Sequence, residues 1–130
     1  MFMNITFNNL LYGHTINDVD ITHQQHLEIL LIRVNALQTA YGKQLVVTSG
    51  YRDAADQQRI NPKATHSRHL TGDAVDFKDS DGLLYVWAFA NQNILAACGL
   101  WCELGTRGWL HCQSIPFGSF KDGGTRFFAP

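Results

Sequence analysis

Charge is scarce and evenly split in this chain: 10 lysines and arginines stand against 11 acidic residues in 130, for a formal net charge of −1. No basic run concentrates the positive charge locally. That balance lacks the electrostatic footprint of a nucleic-acid binder, so no nucleic-acid partner is expected. Cysteine is also sparse. The three present, Cys98, Cys102 and Cys112, are an odd number and too few to staple a secreted domain. They read as reduced, mostly buried thiols of a chain made in a cytosol. No apolar run reaches transmembrane length, and Met1-Phe2-Met3-Asn4-Ile5-Thr6 lacks a basic region followed by a long apolar segment. The expectation is production in the cytoplasm without a signal peptide, and no membrane insertion. There is no internal repeat and no low-complexity linker. With 45% hydrophobic and 16% charged residues, 130 residues suit one domain around one core, residues 1–130.

Ile5-Thr6-Phe7 and Leu10-Leu11 give a short apolar lead-in before a turn-prone passage through Gly13, Asn17, Asp18 and Asp20. It reads as an irregular arm. From about Thr22, Leu27, Leu30, Leu31, Val34, Leu37 and Tyr41 recur at spacings of three and four, the apolar stripe of a helix. Thr22 or Asp20 can cap its start and Gly42 can end it. His23 and His26, with no acidic partner on that stripe, read as surface residues. Leu45-Val46-Val47-Thr48 is β-branched enough for a buried strand, ending in Ser49-Gly50-Tyr51-Arg52-Asp53. Asp53 can cap a short helix from Ala54 to Ile60, which Asn61-Pro62 stops. Lys63-Ala64-Thr65-His66 follows as a polar loop, with His66 a neighbour of whatever lies next.

What lies next is Ser67-Arg68-His69-Leu70-Thr71-Gly72-Asp73-Ala74-Val75-Asp76-Phe77, with an imidazole and a carboxylate seven residues apart. Val75 favours an extended chain, and neighbouring side chains of a strand point to opposite faces. If Val75 and Phe77 enter the core, Asp76 is delivered to the other face, and Gly72 lets the loop bend His69 back towards it. Beyond Phe77, Lys78-Asp79-Ser80-Asp81-Gly82 clusters acids without the spacing of an EF-hand loop, so a solvated turn is expected. Leu83, Leu84, Trp87, Asn91, Ile94, Leu95 and Cys98 then follow helical spacing to Gly99, as one amphipathic helix with Cys98 on its core side.

Leu100 to Gln113 holds two apolar-alternating runs around a glycine-bearing turn, which predicts a β-hairpin. In its second strand Leu110 and Cys112 share one face while Trp109, His111 and Gln113 share the other. Trp109 either lines a cleft or covers the ligand strand. The tail from Ser114, with Pro116, Gly118, Gly123 and Gly124, reads as loop, with Phe127-Phe128 docked on the domain.

His69, Asp76 and His111 together make a two-histidine, one-carboxylate set on a sheet face, which suits one Zn2+ with an open position. A structural zinc site of His111 with Cys102 and Cys112 is disfavoured, because adjacent strand residues face opposite ways. Amide hydrolysis at such a metal also needs a proton acceptor and a cation for the developing oxyanion. Glu103 and Arg52 are the candidates. Glu103 lies on the strand paired with that of His111; its alternative reading is a solvated hairpin carboxylate. Arg52 follows a strand end with a forked donor; its alternative is a turn-stabilising ion pair with Asp53 or Asp56.

The segments Ser49-Gly50-Tyr51-Arg52, Ser67-x-His69-x-x-Gly72-x-Ala74-x-Asp76 and Trp109-Leu110-His111 resemble, in order and spacing, the M15 zinc peptidases. That family includes D-Ala-D-Ala carboxypeptidases, their dipeptidase relatives and phage endolysins that cut peptidoglycan stem peptides. The resemblance covers roughly residues 5–130 and implies a small α+β domain with a central antiparallel sheet flanked by helices, hedgehog or D,D-peptidase-like. It implies zinc ligation by His69, Asp76 and His111, and transition-state stabilisation by Arg52. Many members place the catalytic glutamate three residues before the last histidine, where this chain has Gly108. Glu103 resembles instead the arrangement of compact phage-type members.

Two functions follow as expectations. The first is a zinc peptidase acting as a monomer on the peptidoglycan stem peptide, either a D,D-carboxypeptidase or an endolysin reaching the cell wall by phage-mediated release. The second is a zinc-bearing structural or binding module of a phage particle, without turnover.

Overall fold

The computed structural model describes residues 2–64, 66–116 and 125–129. Among them the chain is α+β, with five α-helices and a five-stranded sheet in the order β1-β2-β4-β3-β5. The lead-in is not an irregular arm. It forms α1 (Phe7–Leu11), closed by a capping box in which Thr6 Oγ1 accepts from Asn9 N–H at 3.1 Å and Asn9 Oδ1 from Thr6 N–H at 2.9 Å. Asn9 performs the task usually given to glutamate or glutamine there, which is why the signal is easily overlooked. The segment before α1 is tied down by the longest helix, α2 (Ile21–Tyr41). Asn35 exchanges two hydrogen bonds with the backbone of Ile5, and buried Gln38 donates to Met3 O.

Of the two candidate caps for α2, Asp20 accepts from Thr22 N–H and His23 N–H, and Gly42 ends the helix in the left-handed conformation. Leu27, Leu30, Val34 and Leu37 are fully buried, with Leu31 and Tyr41 packed at the margin. The strand expected over Leu45–Thr48 is shorter and shifted: β1 is Val47–Ser49, it lies at the sheet edge, and Val46 is 50% exposed. Only Leu45 is buried as anticipated, because an edge strand covered on one side cannot enclose a continuous apolar run.

β2 (Ala74–Asp79) is paired on both sides, with β1 and with β4 (Gly108–Gln113). Val75 and Phe77 are buried on the core face with Leu110 and Cys112, against the stripe of α2. Side chains of this kind contribute about 1.5–3 kcal/mol each when buried. A one-residue slip would exchange them for Asp76 and His111, so the same burial that holds the sheet sets its polar face.

α3 (Ala54–Ile60) starts at the predicted Asp53 cap and stops at Asn61. The single helix expected from Leu83 to Cys98 is two, α4 (Leu83–Ala90) and α5 (Gln92–Cys98). Asn91 sits at the break and turns its side-chain amide onto Trp87 O, competing with the backbone for that acceptor. Before α4 the expected turn is present with Ser80 and Asp81 exposed, but one of its acids is not solvated. Asp79 is buried and accepts from Leu84 N–H at 3.0 Å and Tyr85 N–H at 2.9 Å, the helix-capping role for which no local spacing rule spoke.

The hairpin is present as β3 (Trp101–Glu103) and β4, and Phe127–Phe128 forms β5, buried beside β3. β5 runs parallel to β3, the departure from an otherwise antiparallel sheet. The loop expected at Gly118, Gly123 and Gly124 lies outside the described residues, as does Thr65. Cys102 and Cys112 face each other in the core as buried thiols, Sγ to Sγ 3.7 Å. No helix among the described residues is long and apolar enough to cross a membrane.

Candidate active site

The polar face of the sheet carries one transverse row of functional side chains. Ser49 of β1 pairs with Asp76 of β2, and Asp76 pairs with His111 of β4. Cys102 pairs with Cys112 in the core, so Glu103, the next residue of β3, turns to the same face as His111, whose charge acts on its carboxyl. Directly opposed residues of antiparallel strands share a face with Cβ atoms about 4.5–5.5 Å apart. Sequence period 2 could place each of these residues on a face; only the pairing of four strands could align them.

His69 reaches the row from outside the sheet. Ser67 caps a 3₁₀ turn (Arg68–Thr71), and Gly72, at φ +80°, reverses the chain into β2, so the expected bend is formed. His69 is 2% exposed and its Nε2 lies 3.3 Å from Asp76 Oδ1. His111 Nδ1 lies 3.0 Å from the same oxygen, and the two rings meet edge to face at 5.1 Å. One ligand atom from each of His69, Asp76 and His111 falls within 4.8 Å of the others. Tetrahedral ligands at about 2.0–2.1 Å from a zinc ion stand roughly 3.3 Å from one another. The two donor separations to Asp76 are of that size, and the donor set is the nitrogen and oxygen set such an ion prefers, so the residues fit the group. Each histidine also has its second nitrogen engaged: His69 Nδ1 donates to Gly50 O at 2.8 Å, and His111 Nε2 meets Gln113 Oε1 at 2.8 Å. Such partners fix tautomer and ring direction at metal sites.

Arg52 is held over Asp76, with Nη2 3.6 Å from Oδ2. Nε and Nη2 donate to Ser49 Oγ and Nη1 to Gln57 Oε1. The alternative ion pair with Asp53 or Asp56 is not what positions it, because those two carboxylates close the capping box of α3. Ser49 and Gln57 were not singled out from the sequence. Ser49 stands three residues before Arg52, a signal that was present; Gln57 meets Arg52 only because α3 folds back.

Electrostatics follow the burial. Desolvation pushes the Asp76 carboxyl up, but hydrogen bonds from His111 and His69 outweigh it and hold the group well below the usual carboxylate range. Burial lowers His69 below its ordinary value against the pull of Asp76. For His111 burial also acts downward, yet Asp76 and Gln113 prevail and raise it. Burial lowers Arg52. Glu103, half-buried, is raised above the ordinary glutamate value by desolvation; the charge of His111 opposes the shift and that of Asp76 adds to it. A carboxyl tuned upward is suited to exchanging a proton.

Gly108 bears on where the acid sits. It starts β4 at φ +91°, a conformation that side-chain-bearing residues avoid, and period 2 puts it on the face of Leu110, opposite His111. A glutamate there would be strained and aimed away from the row, whereas Glu103 is on the face that carries it. His66 is exposed, and Trp109, 40% exposed, lies on the His111 face.

The geometry has a counterpart in the comparison with protein families: the Peptidase M15 model matches residues 3–113, most of the chain. The chain belongs to the Peptidase M15 family. It is therefore a peptidase, of a family that is typically metal-dependent, and the match spans every element that builds the row. No curated protein and no solved structure matches the chain. In this M15 peptidase His23 and His26 are not simple surface residues. Both are half-buried, and His26 Nδ1 donates to Thr71 O at 2.8 Å and lies 3.3 Å from Asp73 Oδ2, bracing the loop that carries His69. A second group, His14, Asp53 and Asp56, also has ligand atoms within 4.8 Å of one another, but its carboxylates serve the α3 cap and the His14–Asp56 and Arg59–Asp56 pairs.

Proposed function

We propose that this M15 peptidase is a zinc-dependent peptidoglycan hydrolase that cleaves an amide bond of the stem peptide, as a D,D-carboxypeptidase or an endolysin-type endopeptidase. The observation that carries the reading is the convergence of His69, Asp76 and His111 on one small volume, with Arg52 beside it and Glu103 on the same face of the sheet. His69 Nε2, Asp76 Oδ1 and His111 Nδ1 would hold the ion. When bound, zinc supplies Lewis acidity, lowering the pKa of a water to about 7 and polarising a carbonyl.

The rest is work for the chain's own groups. Glu103, its carboxyl raised by burial, accepts the proton of the attacking water and returns it to the leaving amine. Arg52, locked by Ser49 and Gln57, presents N–H donors to the oxygen that gains charge as the carbonyl becomes tetrahedral. Because its guanidinium is already fixed, little reorganisation accompanies the step. We place this work at the cell wall, performed by a monomer on the stem peptide after phage-mediated release from the cytoplasm.

The test is release of D-alanine or peptide from purified peptidoglycan by the metal-loaded protein. Chelation should abolish release, zinc should restore it, and Glu103→Ala should remove it while leaving zinc bound. A zinc-loaded wild-type protein that binds peptidoglycan and cleaves none of its amide bonds would favour the non-catalytic phage module instead.

A further inference from the structure

Gln113 is two residues beyond His111 on the same face of β4, and it is a polar side chain only 2% exposed. Its amide is committed at both ends. Nε2 donates to Ile115 O at 2.8 Å, and Oε1 lies 2.8 Å from His111 Nε2. The first contact settles the second: a backbone carbonyl can only accept, so the NH₂ group must face Ile115, and the oxygen must face the imidazole. An oxygen acceptor 2.8 Å from a ring nitrogen requires that nitrogen to carry the proton. His111 Nε2 is therefore a donor held by Gln113, and Nδ1, 3.0 Å from the Asp76 carboxylate, is the nitrogen whose proton a metal ion would displace to reach a lone pair.

We propose that Gln113 is a positioning residue for metal binding: it fixes the tautomer and direction of the His111 ring so that Nδ1, and not Nε2, is the ligand nitrogen. This rests on the metal-site reading of His69, Asp76 and His111. The two histidines are then mirror cases, His69 ligating through Nε2 with Nδ1–H held by the Gly50 carbonyl, and His111 ligating through Nδ1 with Nε2–H held by Gln113. The second case is the one a substitution can reach, since a backbone carbonyl cannot be mutated away.

Zinc affinity, measured by competition with a chromophoric chelator, separates positioning from packing. Gln113→Leu, of similar size and without an acceptor, should bind zinc about 10- to 100-fold more weakly. Gln113→Glu keeps an oxygen for Nε2–H and should stay much nearer to wild type. The same affinity in wild type and Gln113→Leu overturns the proposal, as does an equal loss in the two variants, which would mean that only packing mattered. Wild-type protein that takes up no zinc removes the metal-site reading and this inference with it. Should the variants fail to fold, imidazole nitrogen shifts of zinc-loaded wild type decide: a metal-bound Nδ1 with a protonated Nε2 on His111 supports the proposal, and the reverse overturns it.

Discussion

Asp76 and His111 are directly opposed across β2 and β4, and His111 Nδ1 sits 3.0 Å from Asp76 Oδ1. Two of the three candidate ligands are thereby held by the sheet ladder itself, leaving only His69 to be supplied by a loop. A site built on strands is more rigid than one built on loops, which suits chemistry that depends on positions within about 0.5 Å.

Asp76→Ala should abolish zinc binding and peptidase activity together. It should also destabilise the metal-free protein, on the order of 3 kcal/mol, because Asp76 is the anion between Arg52, His69 and His111 in a buried setting. Denaturant unfolding of the apo variant measures this. Stability equal to wild type would show that the cluster carries no such dependence.

Glu103→Gln should behave in the opposite sense. Activity should fall about 10²- to 10⁴-fold as the proton acceptor is lost. Stability at neutral pH should hold or rise, because burial raises the Glu103 pKa and so disfavours the charged form in the folded state. A raised folded value means the contribution is favourable at acid pH and lost as pH rises through it. The advantage of the variant should accordingly grow from pH 4 to pH 7 in the metal-free protein. Paired kcat and unfolding measurements check both halves.

Arg52→Lys keeps the charge and loses the fork that engages Ser49 and Gln57. It should lower kcat by about 10²- to 10³-fold, with zinc affinity close to wild type. If KM rises and kcat does not fall, Arg52 binds substrate without acting on the transition state.

Asp56 gives a pH dependence remote from the row. Burial pushes its carboxyl up, but hydrogen bonds from His14, Arg59 and the Asp53 backbone outweigh this and bring it to about 2. A depressed folded value contributes stability that is full above the unfolded value of 3.8 and is lost as pH falls through about 2. Wild type should exceed Asp56→Asn by on the order of 1 kcal/mol at pH 6, and the gap should close between about pH 4 and pH 2. A gap independent of pH would refute the assignment.

Asp79→Ala should cost about 1–2 kcal/mol, since Leu84 N–H and Tyr85 N–H lose their acceptor at the start of α4. Thermal unfolding reads this directly, and activity measured well below the transition should be retained.

Much of the site was legible because its residues obey local rules. Val75 and Phe77 had to face the core, so Asp76 had to face away; Leu110 and Cys112 did the same for His111. Gly72, at φ +80°, reverses the chain in the loop that carries His69. Where local rules compete, the tertiary structure decides between them. Leu83 to Cys98 has one helical period, yet the Asn91 side chain takes up a backbone acceptor and divides it. The lead-in helix was hidden because Asn9 stands where a glutamate would announce a capping box. Propensity alone predicts Val46 in a buried strand, and only the edge position of β1 exposes it.

The amino-acid sequence by itself determined which face Asp76 and His111 would take, because in an extended backbone successive side chains point to opposite sides and their apolar neighbours had to face the core. It also determined the family. Only the tertiary structure decided that Ser49, Asp76, His111 and Glu103 share one face, that Arg52 turns to Asp76, and that Gln113 holds the far side of the His111 ring. Those relations join residues distant along the chain through pairing register, and register is fixed by the burial of the whole sheet against α2, not by any segment alone.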